Sequence, residues 1–211
     1  MTPEIIYRLL MFLAFVAMFG IRIYFQSRVL HEEREIKIQE NKLSLAAGSI
    51  AALTTLVFGA EFLFFPGTFS FTYLLEYPDW LRWLGVFVLA AGITLLGTAH
   101  YHLDQSFYSL VVSKEEHQLV TSGPYRWIRH PIYTAYLLNY VSGGLLASNL
   151  VLTFIPVIFF GLMIINRIPR EEAVMREEFG QEYIDLEDRT GRLLPKLGKQ
   201  GKPIKHTGEE K

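Results

Sequence analysis

The side chains best suited to chemistry are concentrated in two polar segments of a largely apolar chain. In the first, LVTSGPYRWIRHPIYTAY, three potentially cationic side chains and two prolines directly precede an apolar stretch. In the second, Arg167 and Glu171 are four residues apart, so they share a face if the helix continues through Pro169. Arginine can orient a carboxylate in bidentate fashion, and a carboxylate can bind an ammonium group or accept a proton. An ordinary i,i+4 pair, or a snorkelling arginine at a helix end, would look the same.

Pro131 restricts the conformation of His130 in the first segment. A residue before proline is driven toward extended geometry, and proline suits the first turn of a helix. We therefore expect His130 at a helix N-terminus, where unpaired N–H groups favour a carboxylate or phosphate. Tyr125, Trp127 and Tyr133 add aromatic faces that can attract an onium centre. A functionless interfacial belt of Arg, Trp and Tyr also fits these residues, so both interpretations stay open here.

The second segment predicts an amphipathic helix. Pro169 followed by Glu171 and Glu172 is typical of a helix start with acids in the first turn. The apolar residues of the segment fall near one helical face, namely Met175, Phe179, Tyr183 and Leu186. We expect this helix to lie along the membrane surface or to fold back over the core.

Other kinds of site are disfavoured by composition and spacing. The chain has no cysteine, which excludes disulfides, thiolate metal sites and cysteine nucleophiles. His100, His102 and Asp104 alternate in a way that suits neither a helical i,i+4 pair nor a recognised zinc pattern, so we predict no metal site. A formal net charge of −1 argues against a nucleic-acid partner.

Hydropathy predicts an all-α integral membrane protein with about five transmembrane helices. The apolar blocks are residues 5–25, 43–65, 80–99, 132–147 and 150–168. The last two are separated by Ser148 and Asn149, so we expect a tight helical hairpin, with a kink possible at Pro156. Lys and Arg follow the first block, are missing between the second and third, and return after the third. This pattern predicts an N-terminus outside, with both polar segments and the C-terminus in the cytoplasm.

The ordered motifs of the two segments resemble the isoprenylcysteine carboxyl methyltransferase and phospholipid methyltransferase superfamily. The resemblance rests on H-x-L-V-T-x-G-P-Y-x-x-x-R-H-P-x-Y from His117 to Tyr133, then on R-x-x-x-E from Arg167, F-G-x-x-Y from Phe179 and R-x-x-P from Arg192. It covers roughly residues 103–195. It implies methyl transfer from S-adenosylmethionine, leaving S-adenosylhomocysteine, to a lipidic or amphiphilic acceptor that enters from the bilayer.

The resemblance also implies site residues. Cofactor binding would fall on the following positions: His117, Gln118, Leu119, Val120, Tyr125, His130, Pro131, Ile132, Tyr133 and Glu171. Arg167 matches the family arginine between cofactor and substrate, so Arg167 and Glu171 are the expected catalytic pair. Leu110 stands where some eukaryotic members carry a cofactor-contacting Gln, which puts that contact in doubt. A carboxylate acceptor would need no base, whereas an amine would need one, with Glu171, Glu172 or His130 as candidates.

The predicted organisation has three parts. Residues 1–99 form an anchor of three spans, residues 100–195 form the catalytic region, and residues 196–211 form a disordered tail. The lack of the additional spans of eukaryotic members favours a prokaryotic inner or cell membrane. Two alternatives remain: an intramembrane NADPH-dependent reductase of the sterol or fatty-acyl type, and a non-enzymatic scaffold or lipid-binding protein. The lead-in G-P-Y-R-W-I-R-H-P-I-Y favours the methyltransferase. The oligomeric state and the choice between O- and N-methylation are not readable from the residues.

Overall fold

The computed structural model describes residues 3–29, 41–112 and 119–196. These ranges form six α-helices and two short 3₁₀ turns, and their β-type pairing is a single isolated bridge between Ile128 and Gly191. The helices are α1 (Pro3–Val29), α2 (Lys42–Phe64), α3 (Asp79–Val112), α4 (Pro131–Ala147), α5 (Leu150–Phe179) and α6 (Gln181–Arg189). The predicted all-α class is thereby confirmed. The predicted helical extension after α1 and the predicted tail from residue 197 onward lie outside the described residues.

Four of the described helices are long and apolar enough to cross a membrane. Their apolar parts are Glu4–Phe25, Lys42–Phe64, Asp79–Leu103 and Leu150–Phe179. Many of their large apolar side chains point outward, where hydrocarbon rather than water would suit them. The α4 helix has 17 residues and, at about 1.5 Å per residue, falls short of the roughly 30 Å hydrocarbon core. The chain is thus an integral membrane protein with four candidate spans, and a fifth span stays a prediction.

A two-residue connection joins α4 to α5. Ser148 adopts a left-handed conformation (φ 52°) that ends α4, and the Asn149 side chain accepts a hydrogen bond from the Leu152 amide at 3.0 Å to cap α5. The backbones of the two helices come so close that a Cβ on Gly144 would lie 2.3 Å from the Thr153 Cα. The last turn of α4 therefore packs directly on the first turn of α5.

The α5 helix continues through Pro156 and Pro169, so the predicted helix start at Pro169 is wrong. Its buried residues recur every four positions along the whole helix, as Leu152, Pro156, Phe160, Ile164, Ile168 and Glu172. This continuous buried stripe spans both prolines, and its packing offsets the hydrogen bonds that the prolines cannot make. Arg167 and Glu171 consequently share one face, as the i,i+4 spacing predicted for a continuous helix.

The core is built from helix pairs that position the polar segments. The α4 helix packs between α3 and α5, and α5 also packs on α2. Gly180 (φ 52°) then turns the chain from α5 into α6. The residues predicted to share an apolar face form one cluster with Leu119, in which Tyr183 and Leu186 are buried and Met175 and Phe179 pack against them. The amphipathic segment thus folds back over the chain that leads into α4.

Candidate active site

The chain before α4 is paired with the chain after α6. The Arg129 amide donates to the Gly191 carbonyl at 2.8 Å, and the His130 amide donates to the Arg192 carbonyl at 3.0 Å. The Gly191 amide completes the parallel bridge by donating to the Trp127 carbonyl at 3.1 Å. These backbone bonds hold His130 in place at the start of α4.

Glu172 is the buried centre of an ionic cluster. Its carboxylate is fully buried and accepts hydrogen bonds from Arg129 Nε at 3.0 Å and from Arg192 Nη2 at 2.6 Å. Arg129 is almost as buried, and its Nη1 also donates to the Thr190 carbonyl at 2.6 Å. A buried carboxylate needs such partners, because removing it from water is otherwise very costly. Glu172 therefore ties α5 to both paired segments.

Glu171 points away from this cluster, because successive residues of a helix are about 100° apart. Its Oε1 accepts from the Tyr133 hydroxyl at 2.5 Å and from Arg167 Nε at 2.7 Å. Its Oε2 lies 3.5 Å from His130 Nδ1. The two adjacent acids thus have different surroundings. Glu172 connects α5 to the paired segments, whereas Glu171 orients a tyrosine and an arginine that line a cavity.

His130 lies at the start of α4 as predicted, but its backbone is not in the predicted extended conformation, because its ψ is 60°. It is the N-cap residue of α4 with φ −121° and ψ 60°, and its side chain does not cap the helix. Its ring stacks on Tyr133 at a centroid distance of 5.6 Å. Burial lowers the pKa of His130 below 6.5, although Glu171 and Glu172 act in the opposite direction. The imidazole is accordingly neutral near pH 7, where it can donate through one nitrogen and accept through the other.

One atom of His130 is left without a hydrogen bond among the described residues. Its Nε2 is buried and lies 3.6 Å from Glu172 Oε1, beyond hydrogen-bonding distance. Buried polar atoms are nearly always satisfied, so this one is suited to a polar group of a bound molecule.

A cavity of about 660 Å³ adjoins these residues. Its wall is mostly apolar and aromatic, with polar side chains at a few points, which is the usual character of a small-molecule site. The α4 helix contributes Ile132, Tyr133, Tyr136 and Tyr140, and α5 contributes Phe160, Met163 and Arg167. The α1 and α2 helices close the other side. The cavity therefore brings an apolar surface next to the polar group of Arg167 and Tyr133.

The remaining predicted cofactor residues have varied surroundings. Tyr125 is buried in the 3₁₀ turn Gly123–Arg126, and Leu119 is buried in the cluster with α6. Val120 lies next to Leu119 in the connecting segment, and Pro131 is the buried first residue of α4. His117 and Gln118 lie outside the described residues, and Leu110 lies near the end of α3.

The two histidines considered as metal ligands have other contacts. His100 stacks on Phe25 at 5.3 Å, and His102 Nδ1 lies 3.0 Å from Ser122 Oγ. Across the described ranges there is no group of three or more metal-ligating side chains.

The sequence did not identify the residues that hold this site together. Glu172 was considered as an acid in a first helical turn and as a base for an amine acceptor, and the ionic roles of Arg129, Thr190 and Arg192 were not foreseen. These partners are 20 to 61 positions apart, and helical periodicity relates residues only three or four positions apart. The closing R-x-x-P motif was the one available signal, without a partner assigned to it.

Comparison with known proteins shows which family the chain resembles. The model of the isoprenylcysteine carboxyl methyltransferase (ICMT) family matches residues 83–177. Protein-S-isoprenylcysteine O-methyltransferase B of Arabidopsis thaliana is 27% identical over 187 residues, covering 88% of this chain and 91% of the relative. This chain is similar to the isoprenylcysteine carboxyl methyltransferase family over residues 83–177.

Other relatives with the same enzyme name are similar over shorter parts. The protein-S-isoprenylcysteine O-methyltransferase of Saccharomyces cerevisiae is 30% identical over 160 residues, covering 75% of this chain and 65% of the relative. The one from Tribolium castaneum is 30% identical over 150 residues, covering 70% of this chain but 51% of the relative. The chain thus spans about half the length of the beetle protein. These relatives identify a membrane methyltransferase and do not favour the reductase alternative.

Proposed function

We propose that this chain is a member of the isoprenylcysteine carboxyl methyltransferase superfamily that transfers a methyl group from S-adenosylmethionine to a carboxylate or amine of a lipidic or amphiphilic acceptor. The observation that carries the proposal is the contact between an apolar cavity and the group formed by Tyr133, Glu171 and Arg167. An apolar tail in the cavity would bring the acceptor's polar end to that group. The acceptors named for the relatives, S-isoprenylcysteines, have this combination of tail and polar end.

The residues around His130 fit the cofactor. The buried, unsatisfied Nε2 of His130 and the uncapped first turn of α4 would suit an anionic or hydroxyl group of the cofactor. We propose that His117, Gln118, Leu119, Val120 and Tyr125 complete this site together with Pro131, Ile132, Tyr133 and Glu171. Bound there, S-adenosylmethionine supplies a methyl group activated by a sulfonium.

The contribution of the protein to the reaction is mainly positioning and exclusion of water, since an in-line displacement needs little other chemistry. Glu171 holds Arg167 by its Nε, so that the guanidinium can orient an acceptor carboxylate. An amine acceptor must first lose a proton, and Glu171 or the neutral His130 could accept it. Glu172 is engaged by Arg129 and Arg192, so we assign it to positioning rather than to proton transfer.

We also propose how the chain sits in the membrane. The α4 helix would be a short fifth span that forms a hairpin with α5, supported by the two-residue connection and the close approach at Gly144. The distribution of Lys and Arg supports an N-terminus outside and a cytoplasmic site. The membrane would be a prokaryotic cell membrane. Residues 1–99 would act as the anchor and residues 100–195 as the catalytic region.

One labelling experiment tests the reaction. The detergent-purified protein is incubated with methyl-labelled S-adenosylmethionine and membrane extract, and the product is treated with mild alkali. Volatile labelled methanol would indicate a methyl ester, whereas alkali-stable label would indicate N-methylation. Absence of saturable labelling in every extract would contradict the proposed activity.

A second experiment tests the site residues and the non-enzymatic alternative. Binding of S-adenosylhomocysteine is measured for the parent protein, His130→Ala and Glu171→Ala, with Glu177→Ala on the exposed face of α5 as a control. We expect both site variants to bind more weakly and the control to bind normally. Equal affinity of all four proteins would show that the site is assigned wrongly.

A further inference from the structure

Asn139 is a polar residue buried in the middle of α4. Its side chain is 6% exposed, and neither Nδ2 nor Oδ1 has a hydrogen-bond partner among the described residues. Burying a polar group without a partner is costly, and buried polar atoms nearly always have one, from the protein or from ordered water. Asn139 therefore needs a partner that the described ranges of the chain do not supply.

The amide of Asn139 packs against α3 at Gly92. A Cβ on Gly92 would lie 2.4 Å from Asn139 Oδ1, so any larger residue would displace the amide. The Cα–H group of a glycine is at most a weak donor to Oδ1. The contact with α3 thus accommodates the carbonyl oxygen, and the two N–H donors of Nδ2 still need an acceptor.

A second cavity, of about 40 Å³, adjoins Asn139. Its wall is apolar apart from Asn139, Tyr140 and Thr55, the last of which belongs to α2. Thr55 Oγ1 donates its proton to the Ala51 carbonyl at 2.9 Å, so its lone pairs are suited to accept a hydrogen bond. The cavity therefore adjoins a donor on α4 and an acceptor on α2.

The volume of this second cavity limits what it can bind. A water molecule needs about 10–15 Å³ of cavity volume and two to four polar partners, and the cavity meets both requirements. Sites for small organic molecules are much larger, about 300 Å³ or more. The side chains that line the cavity are uncharged, which disfavours an ion. Water is the ligand that fits.

We propose that Asn139 and Thr55 bind an internal water molecule that bridges α4 and α2. The water accepts a hydrogen bond from Asn139 Nδ2 and donates one to Thr55 Oγ1. This bridge connects the helix that begins after His130 to a helix of the N-terminal region. Tyr140 lines both cavities, so the water adjoins the wall of the larger one. The site does not depend on the proposed function, since neither acceptor nor cofactor takes part.

Magnetisation transfer from water detects such a molecule directly. The full chain in detergent is prepared with isotope-labelled asparagine, and the amide signal of Asn139 is assigned by its absence in Asn139→Ala. We expect transfer from water to this amide, with the sign in rotating-frame spectra that distinguishes a bound water from proton exchange. Asn149 is the matched control, because it is fully buried and its Nδ2 already donates to Thr72 Oγ1 at 2.8 Å. The Asn149 amide should show no transfer.

Thr55→Val removes the proposed acceptor at nearly constant shape. It should abolish the transfer to Asn139 and lower the melting temperature by about 2–4 °C more than Thr98→Val does. Thr98→Val is the matched control, because Thr98 Oγ1 donates to the Thr94 carbonyl at 2.8 Å within α3 and the residue is exposed. When Asn139→Leu is also present, Thr55→Val should cost no more than the control, since the bridge is already lost.

Two results would overturn the proposal. One is an Asn139 amide that receives no more magnetisation from water than Asn149 does, which would mean that no water is bound at this amide. The other is transfer of undiminished intensity in Thr55→Val, which would mean that the water does not bridge to α2. The transfer experiment on the parent protein and on Thr55→Val decides both points even if Asn139→Leu does not fold.

Discussion

The two adjacent acids of α5 should respond to the same substitution in opposite ways. Glu172→Gln removes the charge that Arg129 and Arg192 surround, and Glu171→Gln removes the charge that faces Tyr133 and Arg167. The two positions are neighbours on one helix, so the effects of helix propensity and of location on stability are the same in both variants and cancel when the variants are compared. The difference reports the surroundings of each carboxylate.

The loss of folding stability expected for Glu172→Gln follows from the burial of the carboxylate. Removing one partner of a buried ion pair costs about 3–5 kcal/mol, because the other charge is left uncompensated. Arg192 is half exposed, so water screens the charge that this side chain loses its partner for. Arg129 keeps its hydrogen bonds to the Thr190 and Glu187 carbonyls. We therefore expect the lower end, about 3 kcal/mol. For a domain of this size the melting temperature should fall by about 6–12 °C.

Glu171→Gln should cost much less stability, since the amide oxygen can still accept from Tyr133 and Arg167. Its loss should appear as weaker cofactor binding or lower turnover. The assay is thermal unfolding followed by tryptophan fluorescence in one detergent, combined with calorimetric binding of S-adenosylhomocysteine. A large drop in melting temperature for Glu171→Gln and none for Glu172→Gln would refute the assignment of Glu172 to structural stability and of Glu171 to the cavity.

Three further predictions concern single positions. Gly144→Ala should destabilise the protein by about 1–3 kcal/mol or more, because the added Cβ would lie 2.3 Å from the Thr153 Cα. Gly161→Ala is the control, since no atom lies within 4 Å of its Cβ. In the same thermal melt this control should be neutral or slightly stabilising. Burial lowers the pKa of His130 in the folded protein, so as the pH falls the unfolded chain binds a proton at a higher pH than the folded protein does. The stability it contributes should be present above pH 6.5 and be lost as the pH falls through the folded pKa. The slope of melting temperature against pH should be smaller in His130→Gln, and an unchanged slope would argue against a buried neutral imidazole. Tyr133→Phe removes a hydroxyl bond to the pocket carboxylate and should lower turnover about 10-fold or more with little change in melting temperature; full activity would exclude a role for that bond.

Much of the helical structure could be predicted because its causes are local. The apolar blocks at residues 5–25, 43–65 and 80–99 correspond to α1, α2 and α3, although α3 continues to Val112. His130 takes its position at the start of α4 from the proline that follows it, although its ψ of 60° is not the extended value that was predicted. The i,i+4 pair of Arg167 and Glu171 follows from helical geometry once the helix is continuous.

Pro169 marks the limit of such reasoning. A proline followed by acids is typical of a helix start, yet α5 passes through it. The same local pattern is compatible with either outcome, and the choice depends on the buried stripe from Leu152 to Glu172 that packs against the neighbouring helices. Local propensity was outweighed by tertiary packing.

The sequence by itself determined the class of protein, most helix positions and the family motifs, since these depend on composition and on residues near one another in the chain. Tertiary structure decided which of two adjacent glutamates is buried, which arginines compensate it, and that Asn139 and Thr55 line one cavity. Those facts depend on contacts between residues distant in sequence, such as the pairing of Arg129 with Gly191. Helical periodicity determines the face on which a residue lies, but only the packing of the helices determines what lies opposite that face.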